Sequence, residues 1–301
     1  MAPGEPRSGG EAERPDVSPA EVGAVPGWED PRRVLGRHGL RPQRAFSQNF
    51  LVARSIVEAI AAAVVVDPAA PPLVVELGPG AGTLTAALLR RGAEVIAVER
   101  DRSMIELLAA ELGGQPRLRV VAGDAAALEL ASLVPEGVRP VVCGNLPYAI
   151  TGAILERLVE QRTRFSRAVV MVQKEVRDRL LGSPGTSAWG ALSVYVQAAF
   201  EVRSVVRAPA GAFHPPPKVE SAVVELVSRA VPRAEENDAF RTVVRAAFGT
   251  RRKTLRNGLV REVGVARADA LLSATAIDGQ RRGETLAIEE LGALARALEA
   301  R

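Results

Sequence analysis

Between residues 72 and 181, short apolar runs alternate with longer segments in which apolar positions recur at helical spacing. The apolar runs predict five strands: Leu73–Leu77, Val95–Val98, Leu118–Val121, Pro140–Cys143 and Ala168–Val172. The intervening segments predict four helices: Thr83–Arg91, Arg102–Leu112, Ile150–Glu160 and Lys174–Leu181. Strands that alternate with helices favour a parallel sheet covered by helices, so the predicted fold class is α/β.

The pattern changes on either side of this region. Phe200–Val206 and Ser221–Val227 are rich in β-branched residues and predict a hairpin-like antiparallel edge, which brings the sheet to seven strands. Helices are predicted ahead of the sheet at Pro31–His38 and Ala53–Val65. We therefore expect a disordered acidic tail over residues 1–30, an α/β domain over 31–231 and a small all-helical domain over 232–301.

The amino-acid composition limits the kinds of functional site and partner that the chain can have. The chain has one cysteine and two histidines among 301 residues, which excludes a disulfide framework and argues against a zinc site or a Cys–His nucleophile. Neither a membrane-spanning apolar run nor a signal-peptide core is present, so a cytosolic protein is expected. Residues 1–30 carry a net charge of −5 and the whole chain carries +4, which leaves +9 on the remainder. A basic body favours a polyanionic partner such as nucleic acid.

The first predicted strand runs into a glycine-rich turn. Gly78, Gly80 and Gly82 form G-x-G-x-G, whereas a dinucleotide site requires G-x-G-x-x-G to hold a pyrophosphate. The shorter pattern suits a cofactor without pyrophosphate, such as S-adenosylmethionine. Glu99 ends the second strand, where it can accept hydrogen bonds from ribose hydroxyls, and Asp124 ends the third, where it can read the adenine amino group. This arrangement predicts methyl transfer and disfavours a nicotinamide-dependent dehydrogenase.

A polar tip follows the fourth predicted strand. Asn145 and Tyr148 project beyond the breaks at Gly144 and Pro147, at the sheet edge where ligands bind in α/β proteins. An amide, backbone carbonyls and an aromatic ring can hold a flat base by its amino group and stack on its face. The alternative is an ordinary strand-to-helix turn with a buried tyrosine.

Several ordered blocks resemble one family, the ribosomal RNA adenine N6-dimethyltransferases, and within it the bacterial small-subunit branch. The resemblance extends from about Gly39 to Leu298. The blocks are Gln48–Leu51, Glu76–Thr85, Gly144–Tyr148, Gln173–Val176, Gly190–Val194, Phe213–Ser221 and Arg251–Asn257. The resemblance implies a Rossmann-like class I methyltransferase fold that modifies two adjacent adenines in the 3′-terminal hairpin of small-subunit RNA during ribosome biogenesis.

The resemblance also implies which residues form the site. The cofactor site is predicted to include Asn49, Leu51, Gly78, Gly80, Glu99, Asp124 and Asn145. The target adenine is predicted to lie against Asn145, Leu146, Tyr148 and Phe213, with the phenylalanine stacking on the face opposite the tyrosine. No metal is expected.

Basic residues supply the predicted RNA contacts. Arg251, Arg252, Lys253 and Arg256 place four cations within six positions, with no acidic residue between Arg241 and Arg261. Arg41, Arg44 and Lys174 extend the set. The alternatives are a solvated helix face for the first group and a plain surface segment for the second. The expected partner is ribosomal RNA in an immature small subunit, bound by a monomer.

Two other readings remain open. Ser47 stands where small-subunit members have glycine, and so resembles the sister family that methylates large-subunit RNA and confers macrolide resistance. A non-catalytic RNA-binding assembly factor on the same fold is the other alternative. Among single residues, Cys143 is predicted to be core, Trp189 to pack the second half of the sheet, and His214 to be a spacer or an RNA contact.

Overall fold

A seven-stranded sheet organises the computed structural model, which describes residues 24–43, 48–127, 129–250 and 253–300. The sheet strands are β2 (Leu73–Leu77), β3 (Glu94–Glu99), β4 (Leu118–Ala122), β5 (Val141–Asn145), β6 (Arg167–Gln173), β7 (Phe200–Ala208) and β9 (Ser221–Ser228). Two short strands, β1 (Phe50–Leu51) and β8 (Phe213–His214), pair outside it. The order is β4-β3-β2-β5-β6-β9-β7, and β9 alone runs in the direction opposite to the other six strands of this sheet.

Helices cover both faces of the sheet. They are α1 (Pro31–Arg37), α2 (Arg54–Val64), α3 (Thr83–Arg90), α4 (Arg102–Leu112), α5 (Leu130–Leu133), α6 (Thr151–Glu160), α7 (Lys174–Leu180) and α8 (Ala191–Ala199). Successive strand residues point to opposite faces, so Val74 belongs to one apolar cluster and Val75 to another. Burial on both faces explains why the central strands read as continuous apolar runs.

The predicted strands and helices between residues 73 and 181 are confirmed to within two residues at each end. The antiparallel edge is also confirmed, but β9 inserts between β6 and β7, so that β7 forms the outer edge. The connection between them is no simple hairpin, because it carries β8 across to pair with β1. Helix α8 was not predicted.

A helical part follows the sheet. It consists of α9 (Asp238–Phe248), α10 (Leu255–Val263), α11 (Val265–Thr275) and α12 (Ile288–Glu299), packed around a core that includes Phe240, Leu259 and Leu291. Trp189 belongs to this core, and its Nε1 donates to the Leu286 carbonyl at 3.1 Å. The prediction that Trp189 packs the sheet is therefore wrong. Cys143 is buried in the sheet core as expected.

The segment ahead of α1 makes specific contacts. Asp30 caps α1 by accepting from the Arg32 amide at 2.9 Å, Glu29 pairs with Arg37 at 2.8 Å, and the Pro26 carbonyl accepts from Arg90 at 2.7 Å. The prediction of disorder is wrong for residues 24–30, because their acidic side chains find basic partners. Residues 1–23 of the predicted tail lie outside the described residues. In the described part of the chain, no helix is long and apolar enough to cross a membrane.

Candidate active site

A cavity opens at the carboxyl ends of β2, β3 and β5 and just beyond β4. Strand ends in open α/β sheets converge on such an edge, and ligands bind there. Nine of the ten residues predicted for cofactor and adenine binding line this cavity: Asn49, Leu51, Gly78, Gly80, Glu99, Asp124, Asn145, Leu146 and Tyr148. The structure thus brings together residues that are up to 99 positions apart in the chain.

The glycine turn leads from β2 into α3. Gly80 has a φ of +54°, in the left-handed region that favours glycine. A Cβ atom there would also lie 3.0 Å from Cε1 of Phe50, which lines the cavity as well. The turn therefore needs glycine both for its backbone conformation and for the close approach of β1.

Glu99 is buried at the end of β3 and holds this turn in place. Its Oε2 accepts from the Gly80 amide at 3.1 Å, and its Oε1 accepts from the amides of Arg100 and Asp101 at 2.8 and 2.9 Å. An ionised carboxylate has about four acceptor positions, so roughly one remains for a further donor such as a ribose hydroxyl. The side chain thus combines a structural role with a place on the cavity wall.

Asp124 lies just beyond β4 and is only half-buried. Its Oδ1 accepts from the Ala126 amide at 2.9 Å, which fixes the carboxylate at the start of a 3₁₀ turn. Its Oδ2 lies 3.3 Å from a guanidinium nitrogen of Arg100, another lining residue. The negative charge of Asp124 is therefore held at the rim of the cavity.

Asn145 ends β5, where its amide orientation is fixed by the backbone of the neighbouring segment. Its Nδ2 donates to the Asn49 carbonyl at 2.9 Å. Because a carbonyl can only accept, this bond leaves Oδ1 as the acceptor of the side chain. Gly144 lets β5 approach β2 closely, since a Cβ atom there would lie 2.3 Å from the Leu77 carbonyl oxygen.

Tyr148 opens a 3₁₀ turn directly after the strand end. Its hydroxyl lies 2.6 Å from Oγ of Ser221, a buried residue at the start of β9. Burial raises the pKa of Tyr148 above its usual value, so the phenol stays protonated. No role was predicted for Ser221; the signal available was a serine at the end of the proline-rich block, directly before an apolar strand.

Phe213 does not line the cavity. It is 3% exposed, lies opposite Leu51 in the β1–β8 pair, and packs in the apolar cluster that includes α2 residues such as Val57. The prediction that Phe213 stacks on the adenine is therefore not supported, because its ring is covered by the core. Its backbone instead braces β1, which carries cavity residues.

Among the predicted RNA contacts, Arg41 and Lys253 are exposed. Lys174 is exposed too, with Asp178 at 3.6 Å. Arg256 is engaged by both carboxylate oxygens of Asp269, at 2.6 and 2.8 Å. The basic run is thus partly neutralised by an acid from α11, which corrects the inference drawn from the lack of acids in the local sequence. The remaining three, Arg44, Arg251 and Arg252, lie outside the described residues, as does Ser47.

Glu76 is a buried carboxyl on the cavity wall for which no role was predicted beyond its place before the glycine turn. It is 1% exposed, and its Oε2 accepts from Oγ1 of Thr85 at 2.6 Å. Burial raises the pKa of Glu76 to about 7, and the charge of Glu99 adds to the effect. The site therefore holds one carboxyl that titrates near neutral pH.

The substitution Glu76→Gln should change how stability depends on pH. In the native protein the folded state keeps this proton up to about pH 7, whereas the unfolded chain loses it near 4.5. Stability from this group is complete below pH 4.5 and falls by about 3 kcal/mol as the pH rises through 7. Urea unfolding at pH 5 and pH 8 should show that loss in the native protein and not in the variant. An equal pH dependence in both would contradict the assignment; Glu94→Gln, at an exposed position of β3, is the control.

The fold and this cavity together define a class of protein. The strand order, the single antiparallel strand β9 and the glycine turn beside an acidic strand end identify a Rossmann-like, S-adenosylmethionine-dependent methyltransferase with a helical carboxyl-terminal part. The chain belongs to the family described as "Ribosomal RNA adenine dimethylase", whose sequence profile matches residues 39–298.

Individual relatives agree with this family. A protein of Anaeromyxobacter dehalogenans (strain 2CP-C) named "Ribosomal RNA small subunit methyltransferase A" is 44% identical over 283 residues, covering 90% of this chain and 98% of that protein. Its namesake from Myxococcus xanthus (strain DK1622) is 45% identical over 276 residues, covering 90% and 95%. Among solved structures, a dimethyladenosine transferase from Plasmodium falciparum is similar with a TM-score of 0.71 and 25% identity, covering 83% and 98%. The structure of the 23S rRNA methyltransferase ErmE is similar with a TM-score of 0.63 and 29% identity, covering 83% of this chain and 100% of that one.

Proposed function

We propose that this protein uses S-adenosylmethionine to dimethylate N6 of two adjacent adenines in the 3′-terminal hairpin of small-subunit ribosomal RNA. The observation that carries the proposal is the fixed amide of Asn145, which leaves an acceptor oxygen on a residue of the cavity wall. The curated relatives are named as small-subunit methyltransferases, which supports this substrate over large-subunit RNA.

The cavity residues fit the cofactor. Backbone groups of Gly78 and Gly80 can approach it closely, Glu99 has an acceptor for a ribose hydroxyl, and Asp124 can accept from the adenine amino group. Asn49 and Leu51 would close the cavity from the β1 side. When bound, S-adenosylmethionine supplies a methyl group attached to a sulfonium sulfur. An amine can attack the methyl carbon from the side opposite the carbon–sulfur bond.

The adenine amine is a poor nucleophile because its lone pair is delocalised into the ring. Oδ1 of Asn145 and the carbonyl oxygen of Leu146 can accept its two N–H groups, which favours a pyramidal nitrogen whose lone pair is directed at the methyl donor. Tyr148 would stack on the base, a contact worth roughly 1–3 kcal/mol. Positioning then supplies most of the rate enhancement.

No strong base is required by this arrangement. When the new C–N bond forms, the bond between the methyl carbon and the cofactor sulfur would break and S-adenosylhomocysteine would leave. The amine, then cationic, would release a proton readily to water. The second transfer follows when the monomethylated base binds again with its one remaining N–H group turned to an acceptor. Asn145, an amide without charge, suits both substrates because it accepts a hydrogen bond without needing to be ionised.

We further propose that the enzyme acts as a monomer on immature small subunits in the cytoplasm. Exposed Arg41, Lys174 and Lys253 would contact phosphates, which orient an RNA without specifying its sequence. Recognition would then depend on the shape of a partly assembled particle with flipped-out adenines.

Incubating the protein with labelled S-adenosylmethionine and either undermethylated small subunits or large-subunit RNA tests the substrate. We expect label only in the small-subunit hairpin. Label in large-subunit RNA would favour the resistance-type activity suggested by Ser47, and label in neither would favour a binding-only role.

Ser221→Ala should impair catalysis through Tyr148. The substitution leaves a half-buried phenol hydroxyl without its partner and frees the ring to rotate, at a cost of about 1 kcal/mol. We expect kcat/KM for RNA to fall about 5–10-fold, with the dissociation constant for the cofactor unchanged. Ser228→Ala is the matched control, because this serine also lies in β9 and donates to the Arg162 carbonyl at 2.9 Å. Equal activities of the two variants would argue against the positioning role.

A further inference from the structure

Gln48 connects the segment before β1 to the body of the protein. Its side-chain oxygen Oε1 accepts from the backbone N–H of Gln43 at 2.9 Å, and its backbone N–H donates to the backbone carbonyl of Gln43 at 3.4 Å. Its Nε2 donates to Oδ2 of Asp101 at 2.7 Å. The Gln48 side chain thus connects Gln43 to the start of α4.

Asp101 is a rigid anchor for this bond. It is 4% exposed, and its Oδ1 accepts from both the amide and the hydroxyl of Ser103, at 2.9 and 2.6 Å, as the cap of α4. Its two carboxylate oxygens therefore serve different partners, with Oδ2 directed to Gln48. A capped helix end gives Gln48 a fixed point to hold.

The hydrogen bonds continue from Asp101 into the cofactor site. The Asp101 amide donates to Oε1 of Glu99 at 2.9 Å, and Oε2 of Glu99 accepts from the Gly80 amide at 3.1 Å. A continuous series of contacts therefore runs from Gln43 through Gln48, Asp101 and Glu99 to the glycine turn.

On the other side, Gln48 adjoins residues proposed to contact the RNA substrate. Arg41 is exposed two positions before Gln43, and Asn49 follows Gln48 directly and orients Asn145 through its carbonyl. Gln48 is therefore connected to three groups with proposed roles. Arg41 would bind phosphate, Asn145 would hold the adenine, and Glu99 would bind ribose. No role was predicted for the Gln48 side chain.

We propose that Gln48 is a positioning residue that couples cofactor binding to RNA binding. The inference rests on the proposed function. A ligand on Glu99 stabilises the arrangement in which Asp101 holds Gln48, and RNA on Arg41 stabilises the same arrangement through the bonds between Gln43 and Gln48. Two ligands that favour one arrangement bind with positive cooperativity, because the ordering cost is met only once, and the coupling is reciprocal.

The variant Gln48→Glu tests this link selectively. It keeps an acceptor for the Gln43 amide but replaces the Nε2 donor with an oxygen that faces the carboxylate of Asp101. Gln43→Glu is the matched control, since it makes the same charge change in the same segment, where Gln43 contributes only backbone atoms to these bonds. Comparable thermal unfolding of the two variants shows that both are folded.

The measurement is the dissociation constant for S-adenosylhomocysteine, which cannot donate a methyl group, with and without saturating undermethylated small subunits at pH 8. We expect the subunits to tighten binding about 10-fold in the native protein and in Gln43→Glu, within the usual range of coupling. In Gln48→Glu the enhancement should fall below about threefold. A native enzyme that methylates the subunits without any such enhancement, or a Gln48→Glu variant that retains it, would overturn the coupling while leaving the function intact. A native protein that neither binds nor methylates the subunits would instead overturn the proposed function, and the coupling with it.

Discussion

Replacing Asn145 with alanine is expected to reduce methyl transfer by about 10²–10³-fold or more, the range found when one preorganised polar group is removed from an active site. The variant loses the Oδ1 acceptor for the adenine amine and the bond from Nδ2 to the Asn49 carbonyl. The amine would then remain planar and unaligned. Single-turnover transfer from labelled S-adenosylmethionine to undermethylated small subunits measures the effect.

Cofactor binding separates this explanation from misfolding. The Asn145→Ala protein should still bind S-adenosylhomocysteine measurably, because Glu99 and the glycine turn are unchanged. Asn257→Ala, at an exposed position of α10, is the matched control and should retain full activity. Full activity in Asn145→Ala would refute the assignment of the adenine site.

The second large effect is expected from Glu99→Gln, which should weaken cofactor binding about 100-fold. An amide at this position can accept through only one of its two terminal atoms. If its oxygen accepts from the Arg100 and Asp101 amides, its NH₂ group faces the Gly80 amide, donor against donor. It also loses a charged hydrogen bond to ribose, and the two losses together amount to about 3 kcal/mol.

Calorimetric titration with S-adenosylhomocysteine measures this loss directly. Glu94→Gln, at the exposed start of the same strand, carries the same change away from the cavity and should bind normally. If both variants bind with the native affinity, Glu99 does not contact the cofactor, and the site must lie elsewhere.

The local pattern of the chain predicted the elements that position the site. Strands β2, β3, β5 and β6 follow from apolar runs because central parallel strands are buried on both faces. The edge strand β4 is only partly buried, but it too is recognised by its short run of Leu118, Val120 and Val121. The carboxyl ends of the parallel strands meet at one edge, so the glycines after β2 and the polar residues at the ends of β3 and β5 and just beyond β4 could be assigned to one site from the sequence alone. Gly80 and Glu99 illustrate this, since both line the cavity and share a hydrogen bond.

Contacts between distant segments could not be predicted in this way. Tyr148 and Ser221 are 73 positions apart, and their bond depends on β9 inserting beside β6. Arg256 appeared free of acidic neighbours until the packing of α11 placed Asp269 against it. The burial of Phe213 likewise follows from the pairing of β1 with β8. Strands of only two residues leave no recognisable pattern in the sequence, so this pairing could not be predicted.

The most direct test of the account is the modification state of small-subunit RNA in a bacterium that lacks its own adenine dimethylation and expresses this protein. Mass spectrometry of the 3′-terminal hairpin should find N6,N6-dimethyladenosine at both adjacent adenines with the native protein and unmodified adenosine with Asn145→Ala. Unmodified adenines in the presence of the native protein, or dimethylated adenines with the variant, would contradict the account.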